Sequence, residues 1–263
     1  MTEFTTSQDG TRIAYEKVGT GPALVLVDGA MCYRDFGPCR SLAEHLAGEF
    51  TVYFYDRRGR GESGDTAPYA PEREYEDLAA IIGAAGGNAF VAGFSSGGGL
   101  ALRAAAHGVT MRALASYEAP FVGQVTVKGK PVDALAVLKS KLAAGERGGM
   151  VSFFMVDMVG GPWFLPLMMR LMPKVHRQLQ AVAHTLPYDT ELMNDFTVPS
   201  SELAGIRVPT LVMVGGKAKP NMVAAVRGVA DAVPGAVHEV LPGQTHQVSN
   251  DAIAPHLRSF FAS

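Results

Sequence analysis

The sequence predicts an α/β protein: a mostly parallel sheet of eight strands with helices on both faces, interrupted by a helical insertion. Three observations carry that expectation. Short apolar runs alternate with helix-forming segments across brief connections, the pattern of a chain that repeatedly crosses over a sheet. Residues 23–27, Ala-Leu-Val-Leu-Val, are apolar without a break, which suits a strand covered on both faces rather than one. The alternation fails between about residues 121 and 200 and resumes at 210, so an insertion divides the core.

Residues 4–7 and 12–18 flank Gln8-Asp9-Gly10-Thr11, and Asp-Gly between two strand-like runs predicts an opening antiparallel hairpin. The strand at 23–27 is followed by the loop Asp28-Gly29-Ala30-Met31. A helix near 39–47 leads to a strand at 50–55, which stops at Asp56-Arg57-Arg58-Gly59-Arg60-Gly61-Glu62-Ser63-Gly64. That run reads as a structural turn, its glycines making the bend and its charges solvated or paired. A helix over 74–85 precedes the strand at 89–94, a helix follows from Leu100, and 111–117 forms the next strand, ending in Glu118-Ala119-Pro120. Beyond the insertion come a strand at 210–214, a helix at 222–232, a strand at 237–241, the loop Pro242-Gly243-Gln244-Thr245-His246 and a closing helix at 253–261. The expected division is a core of residues 1–120 and 201–263 with a helical lid at 121–200.

A chain of 263 residues, 48% of them hydrophobic, can bury one large core. A formal charge of −2 gives no electrostatic ground for nucleic acid or an anionic membrane as partner. The start, Met1-Thr2-Glu3-Phe4-Thr5-Thr6, lacks the basic head and apolar core of an export signal. Cys32 and Cys39 match no zinc or redox spacing and read as free thiols, so a cytoplasmic location is expected. No metal or organic cofactor is called for.

The strand at 89–94 runs into Gly93-Phe94-Ser95-Ser96-Gly97, directly before a strong helix former at 100–107. So tight a strand, turn and helix strains the central residue and leaves no room for side chains on its flanks, which is where Gly93 and Gly97 stand. The G-x-S-x-G pattern thus presents the Ser95 hydroxyl at the end of a strand, before the first free N–H groups of a helix that would stabilise an oxyanion.

Four features now stand in one order: the Asp-Gly loop after an early buried strand, the turn at 56–63, the elbow at Ser95 and a histidine loop after the last strand. In these the chain resembles the α/β-hydrolase superfamily over nearly its whole length. The resemblance implies that Ser95 is the nucleophile and His246 its general base. The remaining histidines are poorer candidates: His238 sits in a strand, His45, His107 and His256 in helical stretches, and His176 and His184 in the insertion. It also implies an oxyanion hole from the backbone N–H groups of Ala30 and Ser96. The third member of the triad departs from the commonest pattern. Most members place an acid shortly after the strand equivalent to 210–214, where this chain reads Gly215-Gly216-Lys217-Ala218-Lys219-Pro220. Some place it one strand earlier, where this chain offers Glu118, able to fix the histidine tautomer and stabilise the imidazolium. The alternatives are a Glu118 that caps the entry to the insertion or pairs with Lys217, with an acid from the insertion or a working Ser–His dyad. Asp28 stands where many relatives have histidine, and either bonds its own loop or brings a carboxylate to the mouth of the site.

Seven of the twelve methionines, Met150, Met155, Met158, Met168, Met169, Met172 and Met193, fall in the insertion. With Phe153, Phe154, Trp163 and Phe164 they make a flexible apolar surface suited to hydrophobic ligands. The expected substrate-binding residues are Met31, Phe94, Phe153, Phe154, Met158 and Trp163. Leu135, Leu138 and Leu142 recur at helical spacing with Lys139 and Lys141 opposite, predicting a helix laid on the main domain. Asp157, Gly160-Gly161, Pro162 and Pro166 interrupt the run from 150 to 169, so no membrane insertion is expected. The expected function is a serine hydrolase cleaving an apolar carboxylic ester, thioester or lactone through an acyl-enzyme, its partner a hydrophobic small molecule. The alternatives are a biosynthetic lyase or cyclase using the same Ser–His pair, and a non-catalytic small-ligand-binding protein.

Overall fold

The computed structural model describes residues 1–262. β1 (Glu3–Thr6) and β2 (Arg12–Val18) form the expected antiparallel hairpin. Then follow β3 (Ala23–Val27), α1 (Cys39–Leu46), β4 (Thr51–Tyr55), α2 (Pro71–Ala84), β5 (Phe90–Phe94), α3 (Ser96–Ala106) and β6 (Leu114–Tyr117). The insertion holds a small hairpin of β7 (Thr126–Val127) and β8 (Lys130–Pro131), α4 (Ala134–Ala143), and α5 (Arg147–Ser152) running into a π-helical turn at Phe153–Met158. It continues through α6 (Leu165–Arg170), α7 (Pro173–Val182), α8 (Leu186–Leu192) and α9 (Ser200–Leu203). β9 (Thr210–Gly215), α10 (Pro220–Ala232), β10 (Val237–Leu241) and α11 (Asn250–Phe261) complete the chain.

Eight strands make one sheet in the order β1-β2-β4-β3-β5-β6-β9-β10, antiparallel at β1/β2 and β2/β4 and parallel elsewhere. The unbroken apolar run of β3 is explained by its burial on both sides. Val25 and Val27 join the core beneath α2, α3 and α10, whereas Leu24 and Leu26 join a second core with α1 and α11. The insertion adds Leu138, Met150, Phe153, Leu179 and Met193 to the first of these cores. Its methionines divide accordingly: Met150 and Met193 are buried there, while Met168 and Met172 face solvent.

Two element ends differ from the sequence expectation for identifiable reasons. α2 begins at Pro71 rather than 74, since proline suits a first helical turn and Glu72 and Glu74 favour its positive end. α3 begins at Ser96, four residues before Leu100, although Gly97, Gly98 and Gly99 are poor helix formers. Packing overrides propensity here: a Cβ on Gly98 would lie 2.6 Å from Ser116 Oγ, and one on Gly99 2.4 Å from Met193 Cε. Among the described residues no helix is long and apolar enough to cross a membrane.

β3 separates β4 from β5, so the strand order reverses between β3 and β5, and a crevice opens beyond their carboxyl ends. Asp28-Gly29-Ala30 and Ser95 stand at those two ends.

Candidate active site

Ser95 joins β5 to α3 with φ 54° and ψ −127°, a conformation that costs a non-glycine residue roughly 1–3 kcal/mol. The surroundings impose it. The Ser95 N–H donates to Tyr117 O at 2.9 Å, and the Ser95 carbonyl accepts from the Gly98 and Gly99 N–H groups, tying the residue to β6 and α3 at once. A Cβ on Gly93 would lie 2.4 Å from Gly97 O, and one on Gly97 2.3 Å from Val27 O, so both flanking glycines are required. The Ser95 side chain is partly exposed, and its hydroxyl bonds no other side chain among the described residues.

Glu118 follows β6 directly and is 1% exposed, with φ 47° and its N–H donating to Met213 O at 3.0 Å. Its two oxygens have separate partners: Oε2 lies 2.7 Å from His246 Nδ1, and Oε1 accepts the Gly215 N–H at 2.9 Å. An ionised carboxylate only accepts, so Nδ1 carries the imidazole proton and Nε2 keeps a free lone pair. The neighbouring Tyr117 hydroxyl donates to Thr245 O at 2.5 Å, so the end of β6 grips the histidine loop at two successive residues. The His246 side chain is otherwise open, at 44% exposure. The stretch after β9 is also tied to the histidine loop. It presses on this loop, with the Lys217 N–H donating to Gln244 O at 2.8 Å, and a Cβ on Gly215 would lie 2.5 Å from Gln244 O. Lys217 makes no ion pair with Glu118 among the described residues.

The loop after β3 lies against the serine: a Cβ on Gly29 would come within 3.0 Å of Ser95 Cβ. Arg60 Nη1 donates to Gly29 O at 2.7 Å. Because a trans peptide holds C=O and N–H on opposite sides, fixing the Gly29 carbonyl toward Arg60 turns the Ala30 N–H the other way. Ser96 heads α3, so its N–H has no carbonyl one turn before it.

Of the two states expected for the charges of the turn at 56–64, solvated or paired, the structure shows the paired one. Its arginines are not solvated: Arg57, Arg58 and Arg60 are all buried. Arg57 pairs with Glu74 and Asp189, Arg58 with Asp77 and Asp9, and Arg60 with Asp189. Glu62, largely exposed, pairs with Arg34. Asp28 does not stand at the mouth of the site. It is buried, and burial pushes its pKa up to about 7. Cys32 and Cys39 are free thiols.

Residues 24–258 match the family model of the alpha/beta hydrolase family. The chain is an α/β-hydrolase. It is 48% identical to an alpha/beta hydrolase from Sphaerobacter thermophilus, over 98% of this chain and 100% of that one, with a TM-score of 0.88. The fold is also that of the enol-lactonase from Burkholderia xenovorans, 20% identical over 99% and 100% of the two chains, TM-score 0.70. An esterase from Exiguobacterium antarcticum, 20% identical with both chains fully covered, superposes with a TM-score of 0.73.

The remaining predicted residues of this α/β-hydrolase are placed unevenly. Met31, Phe94 and Phe153 are buried, and Phe154 and Met158 half-buried. Trp163 stands 80% exposed, its ring edge-on to Phe164. Of the other histidines, His256 bonds Glu239, His184 lies 3.5 Å from Asp65, and His107 lies 3.3 Å from Glu202. Among the described residues no cluster of three or more His, Cys, Asp or Glu side chains is placed to hold a metal ion. Sequence reasoning missed Tyr117 and Arg60, which act on the site through backbone carbonyls; such contacts leave no residue pattern to read.

Proposed function

We propose that this α/β-hydrolase is a serine hydrolase that cleaves an apolar carboxylic ester, thioester or lactone through an acyl-enzyme on Ser95. Above all, the 2.7 Å contact of His246 Nδ1 with a buried Glu118, on the same rim as a strained and unencumbered Ser95, supports this. In the first half-reaction Ser95 Oγ attacks the carbonyl carbon while His246 Nε2 takes its proton. That transfer needs Oγ within about 3.2 Å of Nε2, a contact that substrate-free sites often leave long. The Ser95 hydroxyl has no other side-chain partner to give up in making it. Negative charge collects on the former carbonyl oxygen and meets the N–H groups of Ala30 and Ser96. Glu118 stabilises the imidazolium, which then protonates the leaving alcohol or thiol. Water, activated by the same nitrogen, releases the acid in the second half-reaction.

The insertion serves as the lid, with Phe153, Phe154 and Met158 against the acyl group and Met31 and Phe94 on the core side. The esterase and enol-lactonase of like fold support ester or lactone chemistry. Fluorophosphonate labelling tests the mechanism: wild-type protein is expected to be modified on Ser95, and Ser95→Ala and His246→Ala to remain unlabelled. Absence of labelling in folded wild-type protein refutes the acyl-enzyme. With p-nitrophenyl esters, kcat/KM is expected to rise with acyl length, and a preference for acetate removes the apolar lid from the reading.

A further inference from the structure

We propose that Asp189, on α8 of the insertion, is a positioning residue for the oxyanion hole, so that the insertion takes a direct part in assembling the hole. This rests on the serine-hydrolase reading above. Asp189 is buried, and its two oxygens are shared among three donors. Oδ2 accepts from Arg60 Nη2 at 2.6 Å; Oδ1 accepts from Arg57 Nη1 at 2.8 Å and from Ser96 Oγ at 2.7 Å. Burial raises its pKa, but Arg60 and Arg57 outweigh that and hold the carboxyl below the usual range, so it is ionised.

Each of these contacts leads to one of the two hole donors. Arg60 reaches past Asp189 to Gly29 O at 2.7 Å and Cys32 O at 3.3 Å, fixing the peptide whose N–H belongs to Ala30. Arg57 Nη1 touches Asp28 O at 3.4 Å and Ser96 Oγ at 3.1 Å. Ser96 itself carries the second N–H. A single carboxylate from the insertion therefore holds both donor segments in one frame, one on the loop after β3 and one at the head of α3.

The charge balance makes the dependence asymmetric. Arg57 has a second carboxylate in Glu74, at 2.6 Å, but Asp189 is the sole carboxylate partner of Arg60 among the described residues. Without it a buried guanidinium is left with only neutral acceptors, Thr185 Oγ1 at 3.2 Å and the two loop carbonyls. It then has cause to leave for solvent, releasing Gly29. Docking of α8 also has an anchor that does not touch Asp189 itself, since the Tyr188 ring stacks on Tyr69 at 3.9 Å and 3°. The two roles can therefore be separated.

The test compares Asp189→Asn, Tyr188→Leu and the charge-neutral double variant Arg60→Met/Asp189→Leu in the full-length protein. Each is measured for kcat and KM on a p-nitrophenyl ester, for Ki of a trifluoromethyl ketone whose adduct with Ser95 places an oxyanion in the hole, and for Tm. Asp189→Asn is expected to lose about 100-fold in kcat and a comparable factor in ketone affinity, with KM within threefold of wild type. Tyr188→Leu is expected to lower Tm while leaving kcat and Ki within threefold. The double variant removes both charges together and is expected to fold, with kcat and ketone affinity still reduced; it stands in if Asp189→Asn does not fold. Wild-type kcat and Ki in either Asp189 variant, or a loss that Tyr188→Leu reproduces, overturns the proposal. If wild-type Ser95 is not labelled by fluorophosphonate, the serine-hydrolase reading falls and takes this one with it. Labelled wild type with an unaffected Asp189→Asn sinks this one alone.

Discussion

Replacing Glu118 by glutamine is the sharpest test of the triad, because the structure decides how the amide must sit. The carboxylate accepts from two donors, His246 Nδ1–H and the Gly215 N–H. An amide can accept from only one. With its oxygen toward His246, its NH₂ faces a buried backbone N–H that cannot change, at a cost of about 1–3 kcal/mol. With its oxygen toward Gly215, the NH₂ faces Nδ1, and the imidazole relieves the conflict by moving its proton to Nε2. The second arrangement wins, and it removes the lone pair that takes the Ser95 proton. Where an amide strands the imidazole in the wrong tautomer, kcat falls about 10⁴-fold, which is about 5.4 kcal/mol at about 1.36 per decade. The fold is retained, with Tm lowered by no more than roughly 5 °C. Burst kinetics with a p-nitrophenyl ester, fluorophosphonate labelling rates and thermal unfolding check this together. A folded Glu118→Gln protein with wild-type turnover and labelling removes Glu118 from the mechanism.

Two further predictions concern the frame around the site. Burial lifts Asp28 from an ordinary 3.8 to about 7, so between those values the native state binds a proton that the unfolded chain does not. Stability from this group is therefore full below the unfolded value and is lost as pH rises through about 7, by at most about 4 kcal/mol at about 1.4 per pKa unit. Urea midpoints are expected to show Asp28→Asn gaining on wild type from pH 5 to pH 8, and a constant difference contradicts the assignment. Gly97→Ala drives a Cβ to 2.3 Å from Val27 O and 2.5 Å from Asp28 O, both main-chain atoms. A loss of about 3 kcal/mol, seen as a Tm lower by roughly 10 °C or as insoluble protein, is expected, and a wild-type Tm contradicts it.

The order of elements was legible because each rests on local rules: continuous apolar runs for buried strands, Asp-Gly for the hairpin, and glycine on both sides of a strained serine. Ser95, His246 and Glu118 were singled out as what the resemblance to the α/β-hydrolase superfamily implies, each lying in the short connection after a strand of the sheet. For the turn at 56–64 the sequence left solvated and paired charges as alternatives, because composition cannot tell a charge facing water from one facing another charge. The glycines that open α3 fell outside the helix-forming run expected from Leu100 because propensity ignores Ser116 and Met193, which arrive from elsewhere in the chain.

The amino-acid sequence by itself determined the fold class and the elbow, because periodicity and turn chemistry act over a few residues, while the roles of Ser95, His246 and Glu118 are what the resemblance to the α/β-hydrolase superfamily implies. Only the tertiary structure decided which atoms meet: Glu118 with both His246 and Gly215, Arg60 with Gly29, and Asp189 with Arg57, Arg60 and Ser96. These partners lie 31 to 132 residues apart in the chain. Hydrogen bonds between such distant groups exist only once the sheet has brought its strand ends together, and a buried charge finds its counter-charge by three-dimensional position alone.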